Sequence, residues 1–168
     1  MSELELTLQH LKQPEYVHVL LNPLPLYGLA MGALALVVAL LMRSKQAQIV
    51  ALVLIIVSSG SAWPVIEYGE RGYDRVYSMS NSDAQHWLQI HAHRANQCEW
   101  LFYVTAAVAF AASIAHWKFT RAAVPLVGVT LALTIGTVFA AGWISHAGGQ
   151  VRHSEWRDSP PGTPDHAD

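Results

Sequence analysis

Four long apolar runs, separated by polar segments, dominate the pattern of hydrophobic and polar positions along the chain. Each is close to the ~20 residues that a helix needs to cross ~30 Å of hydrocarbon. The first run carries no charge and ends at Arg43, and Pro64 is expected to kink or end the second. The pattern predicts membrane-spanning helices at about 24–42, 47–66, 99–115 and 122–144.

The polar segments set the rest of the predicted architecture. Residues 2–12 carry leucines among polar neighbours, which favours either a short amphipathic interfacial helix or a partly ordered tail. The segment 67–83 is predicted to be a long polar connection, with Ser82 or Asp83 as the N-cap of the next helix. Residues 158–168 are proline-rich and acidic, and we expect them to be disordered. The predicted fold is an all-α, four-transmembrane-helix bundle that forms a single domain over residues 1–157.

Composition supports a membrane protein and excludes several other classes. Of 168 residues, 52% are hydrophobic and 13% are charged, whereas soluble domains have roughly 25% charged residues. The net charge is −2 and no basic block suggests a nucleic-acid partner. Cys98 is the single cysteine, which excludes an internal disulfide, a zinc site with several thiolates and the two-cysteine attachment of c-type haem.

Charge in the short turns predicts the orientation. Arg43 and Lys45 lie between the first two runs, Lys118 and Arg121 lie between the last two, and neither turn has an acid. Short basic loops stay in the cytoplasm. The first twenty residues lack a basic segment before an apolar core, so we expect the first run to remain as a span. The prediction is a multi-pass membrane protein with both termini outside.

The nine histidines carry most of the functional information. On this topology seven of them come from three helix ends at the outer face, while His116 alone lies near the cytoplasm. Independent placement would have spread them over both faces, so the clustering favours a metal or haem site. Histidine is also common at membrane interfaces, which is the plain alternative for any single one. The seven are His10, His18, His86, His91, His93, His146 and His153.

Spacing leaves two arrangements open for the last histidines. His146 and His153 are seven residues apart and share a face if the helix persists past Gly148 and Gly149. His86 and His93 have the same spacing, whereas His91 lies roughly 140° off their face, so two layers of paired imidazoles are possible. The glycine pair could instead break the helix and let backbone approach a cofactor.

Haem b is the cofactor that such a cluster would suit. Bis-histidine ligation takes two imidazoles from facing helices with an apolar slot between them, and an arginine such as Arg152 or Arg94 can pair with a propionate. Divalent copper or zinc would also suit two to four imidazoles. The sequence has no HExxH motif, no phosphate-binding glycine loop and no Ser/His/Asp motif.

Two motifs resemble a known family. The opening His18-Val-Leu-Leu-Asn-Pro-Leu-Pro25, together with Gly69-Glu70 and the closing Gly148-Gly-Gln-Val-Arg-His-Ser-Glu155, resembles the DUF2231-related small bacterial membrane proteins, which are mostly without an assigned function. The resemblance covers about residues 16–157. It implies a cytochrome b-like four-helix bundle with haem b, with histidines at His18, His91 and His153. Pro23 and His146 depart from the family pattern, which often has histidine and asparagine there.

Two functional hypotheses follow. The first is a b-type cytochrome that binds one or two haems near the periplasmic face through His18, His91, His146 and His153, with Arg152 beside them. It would exchange electrons with a periplasmic cytochrome, another membrane redox subunit or quinol, as a subunit of a larger complex rather than a stand-alone enzyme. The second is a non-redox accessory or scaffold subunit, or a copper- or zinc-binding protein that uses the same histidines.

Overall fold

The computed structural model describes residues 3–157, and this part of the chain is helical with no β-strand. A π-helical turn at Leu24–Gly28 joins α2 to α3, and a short 3-10 turn at Ser154–Trp156 follows α7. The helices are α1 Glu3–His10, α2 Pro14–Leu21, α3 Leu29–Leu41, α4 Lys45–Gly60, α5 Ala62–Met79, α6 Ser82–Lys118 and α7 Thr120–Arg152.

Four helical stretches have the length and apolar character needed to cross a membrane, as the hydrophobic pattern predicted. They extend well beyond the predicted spans, because the helices continue into polar sequence at one end of the bundle. The stretches are Pro14–Leu41, Lys45–Met79, Ser82–Lys118 and Arg121–Arg152.

The four spanning segments form a closed ring in chain order. α3 packs against α4 and α7, and α6 packs against the same two helices, while α2 packs along α5. Short turns between consecutive spans make neighbouring helices antiparallel, as in an up-and-down bundle. The turns at residues 42–44 and at Phe119 therefore share one end, the turn end, and the other end is called the cavity end below. Buried core residues include Leu29, Leu36, Leu52, Ile55, Phe102 and Val127.

Apolar side chains also cover the outside of the bundle. Val50 on α4 is 70% exposed and Phe139 on α7 is 75% exposed. A soluble monomer rarely carries so continuous an apolar exterior. Surrounded by hydrocarbon, the same surface is compatible with its solvent, since helices satisfy their own backbone hydrogen bonds.

Small and hydroxyl-bearing residues hold the spans close together. A Cβ atom on Gly32 would lie 2.7 Å from Cγ1 of Ile55, and one on Gly28 would collide with Ser58. This Gly-x-x-x-Gly pair lets α3 approach α4 closely, which is how helices associate without a hydrophobic driving force between them. The Oγ1 atoms of Thr105 and Thr137 are 2.8 Å apart, which links α6 to α7.

The predicted loop at 67–83 was wrong. α5 continues to Met79, and only Ser80 and Asn81 separate it from α6. Asn81, not Ser82 or Asp83, caps α6, because its Oδ1 atom accepts from the backbone N–H of Ala84 at 2.9 Å. A helix beyond the lipid needs only one apolar face, which in α5 lies against α2, so its polar sequence was misread as a loop.

The beginning of the first span also differs from the prediction. Pro14 begins α2, and the helical path continues through Pro23 and the π-helical turn rather than starting at Leu24. Helix α1 has no buried residue, and its interfacial position stays a prediction. The expected disorder at 158–168 concerns residues outside the described range.

Candidate functional site

A cavity of about 1210 Å³ opens at the cavity end of the bundle. Its walls come from α2, α5, the first turns of α6 and the last turns of α7. The helical extensions that hydropathy did not predict are therefore what build it. Deeper in the bundle the lining becomes apolar, with Pro25, Ala62, Phe102 and Ala141, all of which are buried.

His18 enters this cavity from α2. Its Nδ1 atom lies 2.8 Å from the carbonyl oxygen of Val65 on α5. A carbonyl can only accept, so Nδ1 carries the proton and donates. In the neutral ring this leaves the lone pair on Nε2. The ring rests on Gly69, where a Cβ atom would lie 2.8 Å from Nδ1.

His91 enters the cavity from α6 and is held in the same way. Its Nδ1 atom lies 3.0 Å from the carbonyl oxygen of Ile144 on α7 and must donate to it. The ring rests on Gly148, where a Cβ atom would lie 3.1 Å from both Cε1 and Nδ1. We call Val65 with Gly69 the His18 seat, and Ile144 with Gly148 the His91 seat.

The two imidazoles come together across the cavity. Their ring centroids are 6.1 Å apart and their planes cross at 84°. With metal–nitrogen distances of about 2.0–2.1 Å, two imidazoles on opposite sides of one ion have ring centres roughly 6 Å apart. Ligating histidines usually donate their other ring nitrogen to a carbonyl or carboxylate, as both rings do here. His18 and His91 would therefore suit a metal centre that takes two protein nitrogens.

His153 lies at the mouth of the same cavity, but its ring is otherwise engaged. It stacks on Trp156 with centroids 3.8 Å apart, and its Nδ1 atom lies 2.9 Å from Oε1 of Glu155. A hydrogen bond within Glu155 itself and the one with His153 lower the pKa of the Glu155 carboxyl. Arg152, its neighbour, also lines the mouth and is exposed.

The glycine pair at the end of α7 does not break the helix. The helix persists through Gly148 and Gly149 to Arg152. Arg157 then folds back and donates to the carbonyl oxygens of Gln150 and Val151, at 2.8 and 3.1 Å. These bonds satisfy carbonyls that a helix end leaves without a partner.

The remaining predicted residues lie elsewhere. His146 is exposed and does not line the cavity, and His86 and His93 are exposed on α6. Helix α7 is continuous, as two layers of paired imidazoles would require. His86, His93 and His146 nevertheless face outward. His91, which does not share the face of His86 and His93, faces the cavity. Arg94 lies over the Trp143 ring, 4.4 Å from its centroid, and donates to the Trp143 carbonyl.

Sequence reasoning missed the two seats. Carbonyl partners have no side-chain signature. Gly148 was considered as a possible break in the helix, and Gly69 only as part of the Gly69-Glu70 motif. One signal was present: Ala62, Val65 and Gly69 have the same spacing as Ala141, Ile144 and Gly148. Within residues 3–157, no group of three or more His, Cys, Asp or Glu side chains is arranged to hold a metal ion.

No protein-family model matches the sequence, and no curated protein or solved structure matches it. The resemblance to the DUF2231-related proteins therefore stays a prediction. The candidate site rests on its geometry.

Proposed function

We propose that this chain is a membrane-bound b-type cytochrome that holds haem b between His18 and His91. The observation that carries the proposal is the pair of imidazoles facing each other with centroids 6.1 Å apart. Each ring also has its Nδ1 proton committed to a backbone carbonyl. That commitment presents Nε2, the nitrogen with the lone pair, as the ligand atom.

The number of ligands favours haem over a bare metal ion. A porphyrin supplies four nitrogens to its iron, and His18 and His91 would supply the protein ligands that the iron still needs. A structural zinc site takes four protein ligands and a catalytic one takes three. The absence of a group of three or more suitable side chains among residues 3–157 makes the copper or zinc alternative the weaker one.

The surroundings suit an amphipathic macrocycle. The apolar depth of the cavity, with Ala62, Phe102 and Ala141, offers a dry slot for the ring. The exposed guanidinium of Arg152 at the mouth can pair with a propionate. His153, held by Trp156 and Glu155, is assigned to the mouth rather than to the iron. His146 is left out of the ligand set because it is exposed outside the cavity.

The proposed role is electron transfer near one face of a membrane. When bound, the haem supplies one-electron redox chemistry. The basic residues in the turns favour a cytoplasmic position for the turn end, which would put the cavity end on the periplasmic side of a bacterial inner membrane. Electron exchange would then be with a periplasmic cytochrome, a neighbouring membrane redox subunit or quinol, and not across the whole bilayer within this chain.

Spectra of the purified protein test the proposal. Protein from haem-replete cells should show a reduced-minus-oxidised difference spectrum with a sharp b-type band. His18→Ala and His91→Ala should each abolish this band. His93→Ala and His146→Ala should keep it, because both residues are exposed: His93 lies on α6 with His91, and His146 lies on α7 with the His91 seat. A colourless wild-type preparation would exclude haem binding. A full spectrum in both His18→Ala and His91→Ala would overturn the ligand assignment.

A further inference from the structure

The two imidazole seats have the same arrangement of residues and contacts. In each, a histidine from the helix leading into one span lies on the helix that follows the next span. Its Nδ1 atom donates to a carbonyl four residues before a helical glycine, and the ring covers that glycine. His18 uses Val65 and Gly69, and His91 uses Ile144 and Gly148.

The equivalence extends beyond the contact atoms. Val65 and Gly69 follow Ala62 at the same spacing at which Ile144 and Gly148 follow Ala141, and all six line the cavity. Ala62 and Ala141 are both buried, 3% and 4% exposed. Residues 14–79 and 82–152 are therefore two helical hairpins whose polar ends lie on either side of the cavity, and each brings one imidazole.

We propose that Gly69 and Gly148 are positioning residues of two equivalent half-sites, which together take a single metal porphyrin between them. The identity of the occupant rests on the proposed function. The seating of the two rings does not, because it concerns contacts within the protein alone. A single porphyrin is inferred because the two rings lie next to each other in one cavity, with centroids 6.1 Å apart.

Glycine is required at both positions because the ring needs the space of a side chain. An alanine Cβ at position 69 would lie 2.8 Å from the His18 Nδ1 atom, closer than real Cβ contacts allow. The ring would have to move, and the Nδ1 bond to Val65 would break. At position 148 the nearest approach to His91 is 3.1 Å, so a smaller displacement suffices there.

A histidine that merely fills the core would be expected to satisfy both ring nitrogens. Here Nδ1 of each ring is bonded, whereas residues 3–157 provide no hydrogen bond to Nε2 of His18 or His91. Both rings therefore hold an unused acceptor beside the other, in a cavity large enough for a third group. This shared feature points to an occupant between the rings rather than to core packing.

Alanine substitution at the two glycines tests the proposal, with controls on the neighbouring turns. Gly69→Ala is matched by Gly60→Ala, and Gly148→Ala by Gly142→Ala, because a Cβ at either control position meets nothing within 4 Å. The first readout is nitrogen-15 NMR of the imidazoles in haem-free protein, which reports the Nδ1–H tautomer. The second is haem affinity and the haem-to-chain ratio of the loaded protein.

We expect one haem per chain in the wild type. Both seat variants should lose the fixed tautomer and bind haem about 10- to 100-fold more weakly, as changes behind a metal ligand do, with the larger loss in Gly69→Ala. Both controls should behave like the wild type. If Gly69→Ala does not fold, Gly148→Ala provides the same test, because its Cβ would approach the His91 ring less closely.

The outcomes separate the two proposals. Seat variants that keep the tautomer and the haem affinity of their controls would overturn the half-site inference and leave the cytochrome proposal standing. A shifted tautomer in a protein that never binds haem would leave the seats standing and overturn the cytochrome proposal. Two haems per chain would overturn the single-occupant part.

Discussion

The histidines at the two ends of the bundle have different hydrogen bonds and neighbours. At the turn end, His116 is only 7% exposed and its Nε2 atom is buried, with no hydrogen-bond partner among residues 3–157. At the cavity end, His91 on the same helix is less buried, yet its Nδ1 atom is anchored and a second imidazole faces it. Burial alone therefore does not distinguish the proposed ligand His91 from His116. The anchored Nδ1 atom and the neighbouring imidazole do.

The comparison is tested most strongly by removing one histidine at each end. His91→Ala should lose nearly all bound haem, because one axial ligand and its seat contact disappear together. His116→Ala should retain it, since the ring lies at the far end of α6. Pyridine haemochrome assay of both purified variants measures the ratio. Equal haem loss in the two would contradict the assignment of separate roles to the two ends.

The next effect concerns the core between the ends. Ile55 is fully buried and packs against Gly32, whereas Val50 on the same helix is 70% exposed on the outside of the bundle. Ile55→Ala should lower the free energy of unfolding by about 2–5 kcal/mol, through lost contacts and a residual cavity. Val50→Ala should change it by about 0.5 kcal/mol or less.

Unfolding in mixed micelles of increasing denaturing detergent measures both substitutions. Ile55→Ala should also leave the haem spectrum of the folded protein unchanged, because the residue does not line the cavity. A changed spectrum with unchanged stability would contradict the division of the bundle into a packed core and a ligand-binding end.

A smaller effect is expected from the hydroxyl pair on α6 and α7. The single O–H of Thr137 donates to the Leu133 carbonyl at 2.8 Å, so the bond between the threonines is donated by Thr105. Thr137→Val removes the acceptor and leaves that buried donor without it, at a cost of about 0.6 to 1.7 kcal/mol. Thr105→Val should cost less, because Thr137 keeps its own bond.

The double variant completes this measurement. If the threonines are coupled, Thr105→Val combined with Thr137→Val should cost less than the two single losses added together. Additive losses would show that the 2.8 Å contact contributes nothing to stability.

The smallest effect is expected at the surface of α5. Arg71 donates to Glu67 one helical turn away, and both side chains are substantially exposed. Arg71→Ala should change stability by about 0.3–0.5 kcal/mol, less at high salt. A large loss of stability or of haem would mean that surface pairing, rather than the His18 seat, holds α5 in place.

Hydropathy was sufficient to predict the four spans and the common end of most histidines. It did not predict where the helices end, because it reports contact with lipid and α5 continues as a helix after the lipid stops. The seven-residue spacing predicted that His86 and His93 would share one helix face, and likewise His146 and His153. The structure faces His91 inward instead, since its face, not theirs, packs against α7.

The two histidines that line the cavity deeply were in the predicted ligand set, but the sequence alone could not select them from it. The sequence alone does not distinguish His18, His91, His146 and His153 as ligand candidates. What distinguishes the first two is a backbone carbonyl and an absent Cβ on another helix, and such features become visible only when the helices are packed. The repeated Ala, Val or Ile, and Gly spacing was the one local hint.

The π-helical turn at Leu24–Gly28 gives the first span room for one additional residue. A π turn holds one residue more than an α turn, although both complete one revolution. In a regular α-helix a change of one residue in length would rotate His18 by about 100° relative to α3. Deleting one residue within Leu24–Gly28 should instead relax the turn to an ordinary α-helix and leave His18 directed toward His91. The first span can therefore lose one residue at this turn without losing its histidine from the cavity.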